Sequence, residues 1–187
     1  MTFVIVGPHG VGKSTLGKRV AALCGIPFHD ELGYRLTRNR AASAKASDAQ
    51  VDVDHDIFAH ELARDAAWVP ERHRIVESWH PGNLSYACRR SASVVQRYWW
   101  AVTHQAALLD AVCLPLDAAD DVLRSRQHEP GDPAFFHAVG REAAHWALRI
   151  GMPCMAVTHT DSLSIDATAE RLANFILHAT QTGFPWC

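Results

Sequence analysis

The sequence predicts an α/β fold: a five-stranded parallel sheet with helices on both faces. Three observations carry this reading. Short apolar runs alternate with longer segments of helical periodicity along the whole chain. A glycine-rich loop joins the first run to the first helix. Acids and turn residues gather where the runs end, which in a parallel sheet is the side that faces a ligand crevice.

The elements follow in order. Phe3 to Val6 suits a buried parallel strand. Gly7 to Ser14 is the loop, and Thr15 to Leu23 reads as a helix with Leu16, Val20 and Leu23 as its stripe and Gly25 beyond its end. Ile26 to about His29 is a second strand. Residues 39–54 are rich in Ala, Ser, Asp and Lys with little periodicity, so a mobile segment or a poorly packed helix is expected there. A helix follows over Ile57 to Trp68, then a third strand at Arg74 to Glu77 and a turn at His80, Pro81, Gly82 and Asn83. Leu84 to Leu109 is helical and broken near Ser91. Ala111 to Leu116 is the fourth strand, Asp117 to Arg126 a short helix, and 127–133 a polar segment. Phe135 to Ile150 is another helix, Cys154 to Thr158 the fifth strand and Ala167 to Ala179 the last helix.

The chain has 187 residues, enough for one well-buried domain and short for two. A single domain is expected, with a lid around 124–133 and an acceptor-side segment around 34–56. A formal charge of −2, from 18 basic and 20 acidic residues, argues against a nucleic-acid partner. No window approaches a membrane span, and the first apolar run is too short for a signal peptide. The five cysteines form no CxxC and read as reduced thiols of a cytoplasmic protein. The twelve histidines form no zinc-like grouping, so no structural metal is expected.

The run from Gly7 to Ser14, GPHGVGKS, fits GxxxxGK[ST] at every fixed position and stands between a strand and a helix. Its glycines let successive backbone amides converge on phosphate oxygens, and the helix presents its positive end to the same anion. Gly7, Gly10, Val11, Gly12, Lys13, Ser14 and Thr15 are therefore the nucleotide-binding residues. Lys13 neutralises the β/γ-phosphates and Ser14 ligates Mg²⁺. The fold is that of the P-loop NTPases, and the cofactors are ATP, with GTP open, and Mg²⁺.

The loop is silent on what happens to the phosphate. Asp30 and Glu31 close the second strand, where a carboxylate can orient an acceptor hydroxyl and take its proton, or hold Mg²⁺ through water. Tyr34, Arg35 and Arg38 follow at helical spacing and suit an anionic acceptor. Glu77, ending the third strand, is the second candidate for the Mg²⁺ site. Trp79, Asn83 and Tyr86 lie just beyond it as acceptor contacts, the aromatics able to stack on a ring. Arg124 and Arg126 suit a flap over the transferring phosphoryl group. In a regular helix the two do not share a face, which favours Arg124. His159 and Asp161 fall where a base-contacting loop is expected, and Thr158-His159-Thr160-Asp161 faintly matches the guanine pattern [NT]KxD.

The chain resembles the thymidylate and deoxynucleoside kinases, within the phosphate-loop small-molecule kinases. The resemblance rests on GPHGVGKST, FHDELG at 28–33, ESWHPGNLSYA at 77–87, VLRSR at 122–126 and THTDSLSID at 158–166. It implies that Asp30 or Glu31 is the catalytic base or binds the acceptor sugar, that Arg124 and Arg126 are lid arginines, and that His159 through Ser162 form the base loop. The family places Arg directly after the acid of the third strand; here Ser78 follows Glu77. The family is often dimeric, and the stripe Val94, Val95, Tyr98, Trp99 and Ala101 suits either a homodimer interface or core packing.

The function expected is thus transfer of the γ-phosphate of ATP to a small hydroxylated or phosphorylated acceptor, a nucleoside or nucleotide first. The alternatives are a regulatory GTP/ATP-hydrolysing switch, for which Asp30-Glu31-Leu32-Gly33 superficially matches DxxG, and a nucleotide-binding protein without transfer activity.

Overall fold

The computed structural model describes residues 1–33, 36, 47–70, 72–126 and 133–183. Its centre is β1 (Thr2–Val6), every residue of which is buried. β1 pairs in parallel with β3 (Arg74–Glu77) on one side and β4 (Ala111–Asp117) on the other. Two-residue strands close the edges, β2 (Phe28–His29) beside β3 and β5 (Thr158–His159) beside β4, giving the order β2-β3-β1-β4-β5. All five strands are parallel, as the alternating pattern predicts.

Side-chain alternation along β1 divides the interior in two. Phe3 and Ile5 enter a core shared with α1 (Lys13–Cys24) and α7 (Ile165–Thr182). Val4 and Val6 enter another, built with α3 (Trp79–Arg90), α4 (Ala92–Leu108) and α6 (Pro133–Arg149). Each such fully buried side chain contributes roughly 1.5–3 kcal/mol of transfer free energy. The remaining helices are α2 (Ser47–Ala66) and α5 (Asp120–Arg126). None of the described helices is long and apolar enough to cross a membrane.

Three elements differ from the sequence expectation. α2 begins at Ser47, well before Ile57. Its buried face carries Asp54, Glu61 and Asp65 beside Val53, Ile57 and Phe58, so the apolar periodicity that marks a helix is interrupted by acids. The expected turn at His80 to Asn83 is the first turn of α3. Pro81 is tolerated there because a first-turn residue has no intrahelical donor to lose. The expected strand at Cys154 to Thr158 touches β4 only at Cys154, as an isolated bridge, and again at Thr158. The expected break near Ser91 does occur: its backbone is extended (φ −156°) and separates α3 from α4. The segment 39–46, Tyr34, Arg35 and Arg38 and the lid residues 127–132 lie outside the described residues.

The α4 stripe packs inward. Val94 is fully buried, Tyr98 stacks on Phe58 at 4.9 Å, and Trp99 meets Trp146 edge-on at 6.2 Å. Trp100 of α4 turns outward, 80% exposed.

Candidate functional site

The glycine-rich loop sits at the carboxyl end of β1. Gly7, Gly10 and Gly12 all have positive φ (150°, 82° and 94°), a region L side chains rarely adopt. The loop is also wedged. A Cβ on Gly7 would lie 2.4 Å from the Leu116 carbonyl oxygen of β4, and one on Gly140 of α6 would lie 2.2 Å from Pro8 Cα. Lys13, the first residue of α1, is 9% exposed and donates from Nζ to the carbonyls of Gly7 (3.1 Å) and Pro8 (3.2 Å), which holds its charge over the loop.

Glu77 ends β3 beside this loop and is 6% exposed. Burial raises its pKa above the usual carboxylate value; Lys13 and the Ser14 hydroxyl oppose that rise. A hydroxyl and a carboxylate at the mouth of a phosphate loop are the hard oxygen donors Mg²⁺ accepts alongside substrate phosphate, so Ser14 and Glu77 fit this ion.

Asp30 and Glu31 stand across the crevice and are distinguished by their surroundings. Asp30 is half exposed and pairs with Lys18 at 3.4 Å. Glu31 points inward and accepts from Ser78 Oγ at 3.1 Å. Ser78 has an unusual backbone (φ 59°, ψ −57°), followed by Trp79 at φ 45°. Two consecutive non-glycine residues with positive φ cost on the order of 1–3 kcal/mol each. Gly82 leaves room for the bend, since a Cβ there would lie 2.6 Å from Ser78 Cβ. The bend directs the Ser78 hydroxyl to Glu31, at the position where the kinases resembled carry Arg.

The acceptor side is a wall of α2 against α3, joined by buried acids. Asp65 accepts from Trp79 Nε1 (2.9 Å) and bonds His80 Nε2 (2.6 Å). Glu61 faces Asn83, and Asp54 takes a two-pronged bond from Arg90, with Nε at 2.7 Å. Arg90 lies 5.5 Å over the Tyr86 ring. Glu61 is 0% exposed, and burial pushes its pKa up to about 8 against the pull of Arg64.

These groups meet in one cavity of about 750 Å³, which Lys13, Ser14, Asp30, Glu31, Glu77, Ser78, Asn83, Tyr86, Arg90 and Arg126 all line. A second cavity of about 550 Å³ lies on the other side of the loop, between Gly10 to Leu16 and Thr160, Leu163, Ile165 and Thr168.

The structure places the expected site residues unevenly. Trp79 is 0% exposed in the core and bonded to Asp65, so it offers no ring to an acceptor. Arg124 is exposed and lines neither cavity. Arg126, the last described residue of α5, lines both and donates to Thr160 Oγ1 at 3.3 Å. His159 and Asp161 also line neither. Asp161 accepts the Ala119 N–H at 2.7 Å at the start of α5, a bond that lowers its pKa. Ser78, Asp54, Arg90, Glu61 and Arg64 were not anticipated. The acids at 54, 61 and 65, seven and four apart, carry the signal of one helical face.

No protein-family model matches the chain, and no curated protein sequence matches it. Solved structures do. The YorR protein from Bacillus subtilis, solved in complex with phosphorylated GDP, is 15% identical over 98% of this chain and 99% of that one, with a TM-score of 0.64. Deoxyadenosine kinase from M. mycoides, with products dCMP and dCDP bound, is 11% identical over 95% and 99%, TM-score 0.62. Shikimate kinase from Aquifex aeolicus is 12% identical over 98% and 100%, TM-score 0.51. A parallel sheet in this order beneath a glycine-rich loop gives the chain the fold of the P-loop kinases.

Proposed function

We propose that the chain is an ATP-dependent phosphotransferase that moves the γ-phosphate to a hydroxyl of a small acceptor of the nucleoside or nucleotide class. The observation that carries this reading is the cavity in which Lys13, Ser14 and Glu77 face Glu31, Asn83, Tyr86 and Arg90. A nucleotide-hydrolysing protein needs only the first group; the second forms a walled space for another molecule.

The loop amides and Lys13 hold the β- and γ-phosphates, and Ser14 and Glu77 would hold Mg²⁺, which supplies charge neutralisation between them. Glu31 is the base of this reading. Its Oε2 is fixed by Ser78, and it takes the proton of the acceptor hydroxyl. The acceptor oxygen bonds to the γ-phosphorus, the bond to the β–γ bridging oxygen breaks, and ADP leaves. Asp30, paired with Lys18 and half exposed, shapes the entrance. Arg126 reaches the transferring group from the end of α5.

Two details narrow the substrates. Among the described residues, Arg90 of the acceptor wall and Lys18 of α1 are already paired, with Asp54 and Asp30, so of these only a partner exchange would free a cation for a phosphorylated acceptor. Asp161, the residue a guanine reader would use, is bonded at Ala119, while Leu163 and Ile165 line the nucleotide cavity, which favours adenine.

The test is ADP and GDP release with Mg²⁺ over nucleosides, nucleoside monophosphates and small sugar or amino-alcohol acceptors. A large acceptor-dependent rise with phosphorylated product is expected, greatest for ATP with a nucleoside. A flat profile overturns the proposal.

A further inference from the structure

Asp30 and Glu31 follow a strand of only two residues at the edge of the sheet. So short an edge strand gives little local stability to the residues after it. A base, however, has to be held closely, since a displacement of about 1 Å can cost on the order of 10²-fold in rate. The restraint must come from outside the sheet.

Arg64 of α2 supplies it. One guanidinium nitrogen donates to the main-chain carbonyl of Asp30 at 3.3 Å, and another donates to the Glu61 carboxyl. The guanidinium also lies over Trp68, 4.9 Å from the ring centroid. Trp68 meets His29 of β2 at 5.0 Å and takes Arg74 at 4.7 Å. Glu61 is fully buried on the inner face of α2, opposite Asn83 of the acceptor wall. A surface arginine serving its own helix would pair at the i,i+3 position and stop there. This one reaches back 34 residues to the end of β2.

We propose that Arg64, braced by Glu61, is a positioning residue for the acids after β2. It pins the main chain at Asp30 so that the Glu31 carboxylate stays over the acceptor side of the phosphate loop. The planar fork matters because two groups in different directions must be met at once; lysine, a point donor, meets one. The brace holds in either protonation state of Glu61, since a neutral carboxyl still accepts from Arg64. The kinetic part of this inference rests on the phosphotransferase reading; the structural part does not.

The experiment compares the full chain with Arg64→Met and Arg64→Lys, by amide hydrogen exchange and by acceptor-dependent turnover. In Arg64→Met, exchange at residues 30–33 is expected to rise about tenfold while residues 7–14 stay as they were. The kcat with acceptor should fall about tenfold or more, with the KM for ATP within about twofold. Arg64→Lys should lie between the two proteins in both measurements. Unchanged exchange at 30–33 in Arg64→Met overturns the proposal, as does a lowered melting temperature with kcat intact. If Arg64→Met does not fold, wild-type exchange and kcat in Arg64→Lys overturn it equally. A wild-type chain that phosphorylates no acceptor refutes the kinase reading, and exchange at 30–33 still decides the role of Arg64.

Discussion

The two walls of the large cavity are made of different material. The phosphate side is backbone: consecutive residues 7–14, three with positive φ, wedged between the Leu116 carbonyl and Gly140. The side proposed for the acceptor is side chain: Glu31 after β2, Asp54 of α2 and Asn83, Tyr86 and Arg90 of α3, held in part by the Ser78–Glu31 hydrogen bond and the Arg90–Asp54 ion pair. The phosphate loop suits a group common to every nucleoside triphosphate, with its glycines and the Lys13, Ser14 and Glu77 side chains leaving little to vary. A side-chain site can be rebuilt residue by residue, and its buried charges fix geometry more than they add net stability. If the chain is the phosphotransferase proposed above, it combines a generic donor site with a particular acceptor site.

That contrast can be broken at either wall. The largest effect is expected at the phosphate side. Lys13→Ala should lower transfer about 10³-fold, since Nζ is the charge held directly over the loop. Turnover within tenfold of wild type would place the phosphate elsewhere. On the acceptor side, Glu31→Gln should reduce kcat about 10²-fold and leave the KM for ATP within about twofold. Asp30→Asn should cost far less, because Asp30 pairs with Lys18 at the entrance. The reverse ranking makes Asp30 the base.

The last effect is on stability and concerns Glu61 alone. Its folded pKa is raised to about 8 by burial, against an ordinary value of 4.5, with Arg64, Asp65, Asn83 and Glu31 facing it. Between those two values the folded chain keeps a proton that the unfolded chain releases. The contribution is therefore fully present below about pH 4.5 and is lost as pH rises to about 8, on the order of a few kcal/mol. Urea unfolding at a series of pH values should show this decline in wild type and a flatter profile in Glu61→Gln. Equal slopes would mean that Glu61 is ionised in the folded chain.

The same contrast explains what was legible in the sequence. Gly7 to Ser14 could be read because each requirement is local: a φ that needs glycine, an amide, a hydroxyl, a charge at fixed spacing. The parallel sheet could be read from strands alternating with helices, but its strand order, β2-β3-β1-β4-β5, appears only in the folded chain. α2 reads as starting only at Ile57 because the residues before it are rich in Ala, Ser and Asp, with Asp54 standing on the buried face where an apolar residue would announce a helix. Trp79 read as a ring for an acceptor because nothing local tells that Asp65, fourteen residues earlier, receives its N–H. Asp161 fell where a base reader belongs, but only the folded chain shows the Ala119 amide that takes it.

Helix α6 touches everything that matters. Gly140 rests on Pro8 and Phe136 meets His9, both in the phosphate loop. Phe135 meets Tyr86, and Glu142 takes Arg89, both on α3. Arg141 holds Asp117 and Asp120 at the end of β4 and the start of α5. A helix that rests on the phosphate loop and on α3 at once cannot settle toward one without altering the other. Loading the phosphate loop should therefore change affinity at the α3 side of the cavity, and the reverse by the same factor, whichever is filled first.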